Sequence, residues 1–178
     1  DDAVMYEVNV RQYTPEGTFN AFAGHLPRLK ELGVEILWFM PIHPIGEENR
    51  KGTLGSYYSI RDYKAVNPEF GTMEDFKALV EKAHEMGFKV ILDFVANHTA
   101  WDHEWMETNP DWYTRDSTGK VIPPVADWSD VADLNFNNPD LQAAMIDAAK
   151  FWVEEANIDG YRCDYAGGVS KKFWEKTR

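Results

Sequence analysis

The sequence predicts an α/β fold in which strand–helix units, repeated four times, lay down a parallel sheet. Two observations carry that expectation. Apolar runs of strand length alternate with stretches whose apolar residues recur at helical spacing, and glycines close the first two helical stretches just before the next strand. Alternation of this kind implies a parallel sheet with helical crossovers.

The first strand is predicted over residues 4–10 (Val4-Met5-Tyr6-Glu7-Val8-Asn9-Val10). Phe19, Phe22, Leu26, Leu29 and Leu32 then fall on one helical face. Pro27 inside that stretch predicts a kink or a later helix start, and Gly33 closes it. A second strand is expected over 34–40, followed by a long loop carrying Pro41, Pro44, Gly46, Gly52 and Gly55. Asn67-Pro68-Glu69-Phe70-Gly71 reads as a turn. Thr72 with Asp75 has the capping-box pattern for a helix whose apolar face is Met73, Phe76, Leu79, Val80 and Ala83, ended by Gly87. The third strand is predicted over 88–98. Asn138 as cap and Pro139 at the first helical position open a third helix with Leu141, Met145, Ala148 and Trp152 inward. The fourth strand follows at 158–165, and Ser170 caps a fourth helix reaching Arg178.

The stretch 99–138 between the third strand and the third helix is far longer than an ordinary β/α connection, and loops of that length are commonly functional. It carries Trp101, Trp105, Trp112 and Trp128, and Asp116-Ser117-Thr118-Gly119 within it reads as a hairpin turn. It is expected to form a compact inserted subdomain, with 1–98 and 139–178 as the main domain.

Composition narrows the partners. The 178 residues are 44% hydrophobic, enough for a sizeable core. Lys plus Arg is 18 against 30 Asp plus Glu, a net charge of -12, which argues against nucleic acid and against an anionic membrane surface. A neutral polar ligand such as a sugar is compatible with that charge. No apolar run approaches the roughly 20 residues that span a bilayer. The chain opens on an acidic, strand-like segment rather than a signal-peptide pattern. The compartment stays open, with an extracytoplasmic one slightly favoured. The single cysteine, Cys163, allows no disulfide within the chain, and its strand position predicts a small buried apolar residue. The seven Trp and eight Tyr are as suited to filling cores as to stacking on sugar rings.

Two strand ends carry candidate chemistry. In Ile158-Asp159-Gly160-Tyr161-Arg162-Cys163-Asp164-Tyr165, alternation puts Gly160, Arg162 and Asp164 on one face. Arg162 there would hold Asp164 ionised and aimed, which suits a carboxylate nucleophile; the alternative is an ion pair that only props up a loop. The run 88–98 likewise ends in polar groups at Asp93, Asn97 and His98. His98, His103 and Glu104 do not have the helical two-histidine spacing of a zinc motif.

Asp93-Phe94-Val95-Ala96-Asn97-His98 and Gly160-Tyr161-Arg162-Cys163-Asp164 resemble two signature regions of the α-amylase family, family 13 of the glycoside hydrolases. Three further segments resemble that family, in its order: Trp38-Phe39-Met40-Pro41-Ile42, Gly55-Ser56-Tyr57-Tyr58-Ser59-Ile60-Arg61-Asp62-Tyr63 and Ala132-Asp133-Leu134-Asn135. The resemblance implies a (β/α)8 barrel of the TIM type, of which this chain carries about the first four units, with a small domain after the third strand that walls a substrate cleft. A barrel of eight units takes about 250 residues.

The resemblance further implies an enzyme that hydrolyses or transfers α-glucosidic bonds of starch-like glucans with retention. Asp164 matches the nucleophile and Arg162 the arginine that orients it. His98 matches a histidine that hydrogen-bonds a sugar hydroxyl, and Tyr58 an aromatic that stacks on the same sugar, with Tyr57 beside it leaving that register open. Asp93 would brace the site from behind. Asn97 matches a residue that often ligates a structural calcium, a role the compact insertion puts in doubt; the chemistry requires no cofactor. His98 and Tyr58 also have a plain reading as core packing. The general acid of the family is a glutamate that would lie beyond residue 178, so these residues alone are expected to be inactive and to need the other half of the barrel or to self-associate. The competing class is a non-catalytic amylase-like barrel, a sugar-binding or transporter-associated assembly module. Arg162, Asp164, His98 and Tyr58 are all present, which favours the enzyme. The substrate among the family's α-glucans, and hydrolysis against transfer, are not legible in these residues.

Overall fold

Met5 opens a strand that runs from exposed residues to the buried Val8, and the next two strands alternate between buried and less buried positions before the core closes over their ends. In the computed structural model, which describes residues 3–163, the strands are β1 (Met5–Val8), β2 (Ile36–Phe39), β3 (Lys89–Phe94) and, counting the two strands of a second sheet, β6 (Gly160–Cys163). They form one sheet in the order β1-β2-β3-β6. β1 pairs parallel with β2, Glu7 opposite Trp38, and β2 pairs parallel with β3, Trp38 opposite Ile91. The chain divides into two compact units. The first takes the residues up to Ile42, Lys64–Phe94 and Lys150–Arg162.

The helices of that unit follow from local sequence. Asn9 caps the single turn α1 (Val10–Tyr13), so the last residue of the expected first strand is helical instead. Thr18 caps α2 (Phe19–Ala23), and α3 (Leu26–Glu31) starts afresh with Pro27 in its first turn. The proline thus produces a later helix start, because its ring and missing N–H fit only there. Gly33, at φ +86°, reverses the chain into β2. Leu32 departs from the expected face: it is the C-cap of α3 and 65% exposed. In α4 (Met73–Glu85) both arms of the capping box between Thr72 and Asp75 are made. The C-terminal part of α6 (Pro139–Ala156) completes the unit.

Period-two alternation gives this sheet two different faces. Leu37, Phe39, Val90 and Leu92 are buried on one. Phe39 there meets Phe22 at 5.6 Å and Phe76 at 6.1 Å, both edge-on, and Phe76 meets Trp152 of α6. Edge-to-face aromatic contacts of this kind add to the burial of the rings themselves. Trp38, Ile91, Asp93, Gly160 and Arg162 have the opposite parity. A methyl group built on Gly160 would come 3.7 Å from Ile91, which places those two side by side on that face.

The second unit takes His43–Tyr63 and Val95–Ala149, with Cys163. Its strands β4 (His98–Ala100) and β5 (Val131–Asp133) pair antiparallel, His98 opposite Asp133. The third strand therefore ends at Phe94, and His98 begins a strand of another sheet rather than closing β3. The cause is a partner distant in sequence: Asn97 O accepts from Leu134 N at 3.2 Å, which commits the backbone to β5. Between them lie α5 (Trp105–Thr108) and a 3-10 turn over Pro110–Trp112. Asp116-Ser117-Thr118-Gly119 makes the expected hairpin turn. Asp116 Oδ1 accepts from Thr118 and Lys120, and Gly119 adopts φ +88°. Asn138 caps α6 through Oδ1 to the N–H groups of Asp140 and Leu141.

Cys163 is exposed, not buried. It ends β6, which lies at one edge of the described sheet and is intermediate or exposed throughout. Asp164, Ser170 and the fourth helix lie outside the described residues.

Candidate active site

In the first unit, three adjacent strands each carry a side chain with a hydrogen-bonding or charged group at their penultimate residue: Trp38 on β2, Asp93 on β3 and Arg162 on β6. The three converge. Trp38 Nε1 donates to Asp93 Oδ1 at 2.9 Å, and Arg162 Nη1 donates to the same oxygen at 3.2 Å. The guanidinium carbon of Arg162 lies 4.9 Å from the centroid of the Trp38 ring, within cation–π range. The Asp93 side chain is fully buried while that of Arg162 is 39% exposed. A buried carboxylate needs such donors to remain charged. Asp93 and Arg162 are therefore brought together as an ion pair. On the other parity, Tyr161 packs on Phe94 at 5.2 Å, and burial pushes its hydroxyl pKa up.

The second unit gathers Tyr58, Asn97 and His98. His98 is buried, its Nε2 3.2 Å from the Tyr58 carbonyl and its Nδ1 3.2 Å from Asn97 Nδ2. A carbonyl accepts and an amide nitrogen donates, so the pattern assigns a neutral imidazole with its proton on Nε2. Trp128 stands edge-on to the ring at 5.9 Å. Tyr58 itself is half-buried. Behind them, the Tyr63 hydroxyl lies 2.7 Å from Val95 O and 2.8 Å from His98 O, fastening the turn between β3 and β4. Its pKa is pushed well up, chiefly by burial and then by Tyr113. The loop bearing Trp128 is pinned by Trp101 Nε1 to Ser129 O, Ser59 Oγ to Asp130 O and Lys51 to Asp127 O.

Calcium takes six to eight oxygen ligands. Asn97 presents its nitrogen to His98, and Asp133, across the ladder from His98, has its carboxyl pKa raised by burial. Among the described residues no group of three or more His, Cys, Asp or Glu side chains could hold a metal ion. No helix of the described residues is long and apolar enough to cross a membrane.

This arrangement matches a known family. The model of the alpha amylase catalytic domain matches residues 7–128 and 124–177. The chain belongs to the alpha-amylase family. An alpha-amylase from Lactobacillus plantarum of solved structure is 47% identical with a TM-score of 0.95, over 98% of this chain and 41% of that one. Alpha-amylase 3 of Dictyoglomus thermophilum is 33% identical over 93% of this chain and 36% of its own length. The alpha-1,4-glucan:maltose-1-phosphate maltosyltransferase of Rhodospirillum rubrum is 34% identical over 97% of this chain and 28% of its own length. The chain thus spans about a third of the curated alpha-amylase-family relatives it matches, and the fold class is the (β/α)8 barrel type, present in part. These three relatives are glycoside hydrolase family 13 enzymes, two of them alpha-amylases by name and one a maltosyltransferase.

Trp38 and Tyr63, which bond to the groups singled out by motif, were given no role of their own by motif reasoning. Both lie inside segments quoted for the resemblance. Strand parity would have found Trp38, since it shares a face with Asp93; no local signal marks Tyr63.

Proposed function

We propose that this chain supplies the nucleophile half of a retaining α-glucoside active site, acting on α-glucans or oligosaccharides derived from them. The observation that carries the proposal is the convergence of Arg162, Asp93 and Trp38 on one strand face, with Arg162 two residues before Asp164 in the sequence. An arginine fixed by a buried carboxylate, two residues before a second carboxylate of the same parity, favours ionisation of that second carboxylate. Asp164 attacks the anomeric carbon as the glycosidic bond breaks, and a carboxylic acid protonates the departing oxygen. Water then attacks the same carbon, gives its proton to that carboxylate, and releases Asp164. None of the 178 residues matches the family's general-acid motif, so the acid comes from chain outside this sequence, and these residues by themselves hydrolyse nothing.

The full-length protein carrying this sequence tests the assignment. Asp164→Asn is expected to lower kcat on a maltooligosaccharide by at least about a thousandfold without unfolding the protein. The first product seen by proton NMR is expected to have the α configuration of the substrate. An Asp164→Asn variant of near-normal activity, or an initial β product, would refute it.

A further inference from the structure

We infer that Trp38 is a positioning residue for this reaction, holding Arg162 from two sides. The inference rests on Asp164 being the nucleophile. One side is the hydrogen bond: the indole N–H and the guanidinium share Asp93 Oδ1, at 2.9 and 3.2 Å. The other is the ring face, 4.9 Å from the guanidinium carbon.

Neither contact alone would fix the arginine. Asp93 is wholly buried, and a buried carboxylate with only Arg162 to satisfy it would draw the planar fork into two-point contact. The indole N–H supplies a further donor to Oδ1 beside Arg162 Nη1, so the carboxylate is held from both neighbouring strands. The Arg162 side chain is 39% exposed, and an aromatic surface beneath the guanidinium narrows the rotamers of so long a side chain. The Trp38 ring is that surface, and sheet register holds it: Trp38 stands opposite Ile91, and Asp93 is two residues further on the same face of β3. Trp38 thus sets both the height of the guanidinium above the sheet and its tie to Asp93. If Trp38 is removed, Arg162 relaxes towards Asp93 or solvent, and the carboxylate two residues on loses an aimed cation.

Two substitutions in the full-length protein separate the contacts. Trp38→Phe keeps a ring and deletes the donor; Trp38→Leu deletes both. With a maltooligosaccharide as substrate, kcat is expected to fall about tenfold for Trp38→Phe and about a hundredfold for Trp38→Leu, with KM within about threefold. The acidic limb of the kcat/KM profile moves to higher pH in both, because a less well-held Arg162 stabilises the nucleophile's anion less. A tryptophan of merely structural importance would lower the melting temperature while leaving kcat per folded molecule and the acidic limb in place, and that result overturns the inference. The Asp93 carboxyl carbon and the Arg162 Nε–H followed by NMR need no substrate. Trp38→Phe is expected to raise the Asp93 titration midpoint and displace the Arg162 resonance; unchanged resonances overturn the inference regardless of activity. A wild-type protein inert towards every α-glucoside overturns the enzymatic assignment instead, and the resonances then decide whether Trp38 holds Arg162.

Discussion

Tyr63 shows how much one hydroxyl can organise. It has a single proton, yet the carbonyls of Val95 and His98 both lie within 2.8 Å of it, on either side of the turn that leads into β4. The ring is stacked on Trp105 at 5.4 Å, so Tyr63→Phe keeps the packing and removes only the donor. Two buried acceptors then lose their shared partner, and the variant is expected to be less stable by about 1–3 kcal/mol in urea denaturation. A midpoint equal to wild type would show that the carbonyls are satisfied without it. At this scale the sequence revealed which residue types matter but not their partners. His98 and Asn97 were recognisable by motif, whereas the Tyr58 carbonyl that accepts the hydrogen bond from His98 Nε2 is a backbone atom with no sequence signature. Cys163 misled because strand periodicity reports a face and not whether that face is covered.

Helix termini were the most legible elements, since capping chemistry is local. The Thr72–Asp75 box, the Pro27 restart and the Asn138 cap all act within four residues of themselves. Thr72 Oγ1 accepts from Asp75 N at 3.1 Å, and Asp75 Oδ2 accepts from Thr72 N at 2.9 Å. That Thr72 backbone bond, then Asn20, hold the Asp75 carboxyl below its ordinary range, so its contribution is present at neutral pH and is lost as acid protonates it. Thr72→Ala is expected to cost about 1 kcal/mol of stability at pH 7, read from the shift in denaturation midpoint at unchanged m-value. No loss would mean that tertiary contacts of Phe76, Leu79 and Val80 alone set where α4 begins. Strand ends were less legible. No Gly, Pro or Asn interrupts 88–98 before Asn97, and the break after Phe94 goes with the pairing of His98–Ala100 to β5, more than thirty residues on. A pattern read in a short window holds no record of such a partner.

At the scale of the whole molecule, the second unit joins 43–63 to 95–149, an association that contiguous segments of sequence do not announce. Its core includes a histidine with an acid liability. His103 is buried, lies 4.5 Å from Trp105 and 5.4 Å from Tyr63, and accepts from Trp105 N through Nδ1 at 3.0 Å. Its proton is therefore on Nε2, which has no hydrogen-bond partner among the described residues. Burial lowers its pKa from 6.5 to about 4, against an opposing pull from Asp62 and Asp102. The sign follows from linkage. Above about pH 6.5 His103 is neutral both folded and unfolded and has no effect on the balance; as pH falls towards 4 the unfolded chain takes up a proton that the folded unit refuses. Stability should therefore decline by about 3 kcal/mol across that window from this residue alone. Hydrogen exchange followed from pH 7 to 4.5, with rates corrected for intrinsic pH dependence, should show protection lost first in 95–149 while β2 and β3 keep theirs. His103→Asn offers an acceptor near the place of Nδ1 without titrating, and should remove that part of the pH dependence. If the variant and the wild type lose equal stability between pH 6.5 and 4, the acid sensitivity arises elsewhere and His103 is a neutral filler of the aromatic cluster.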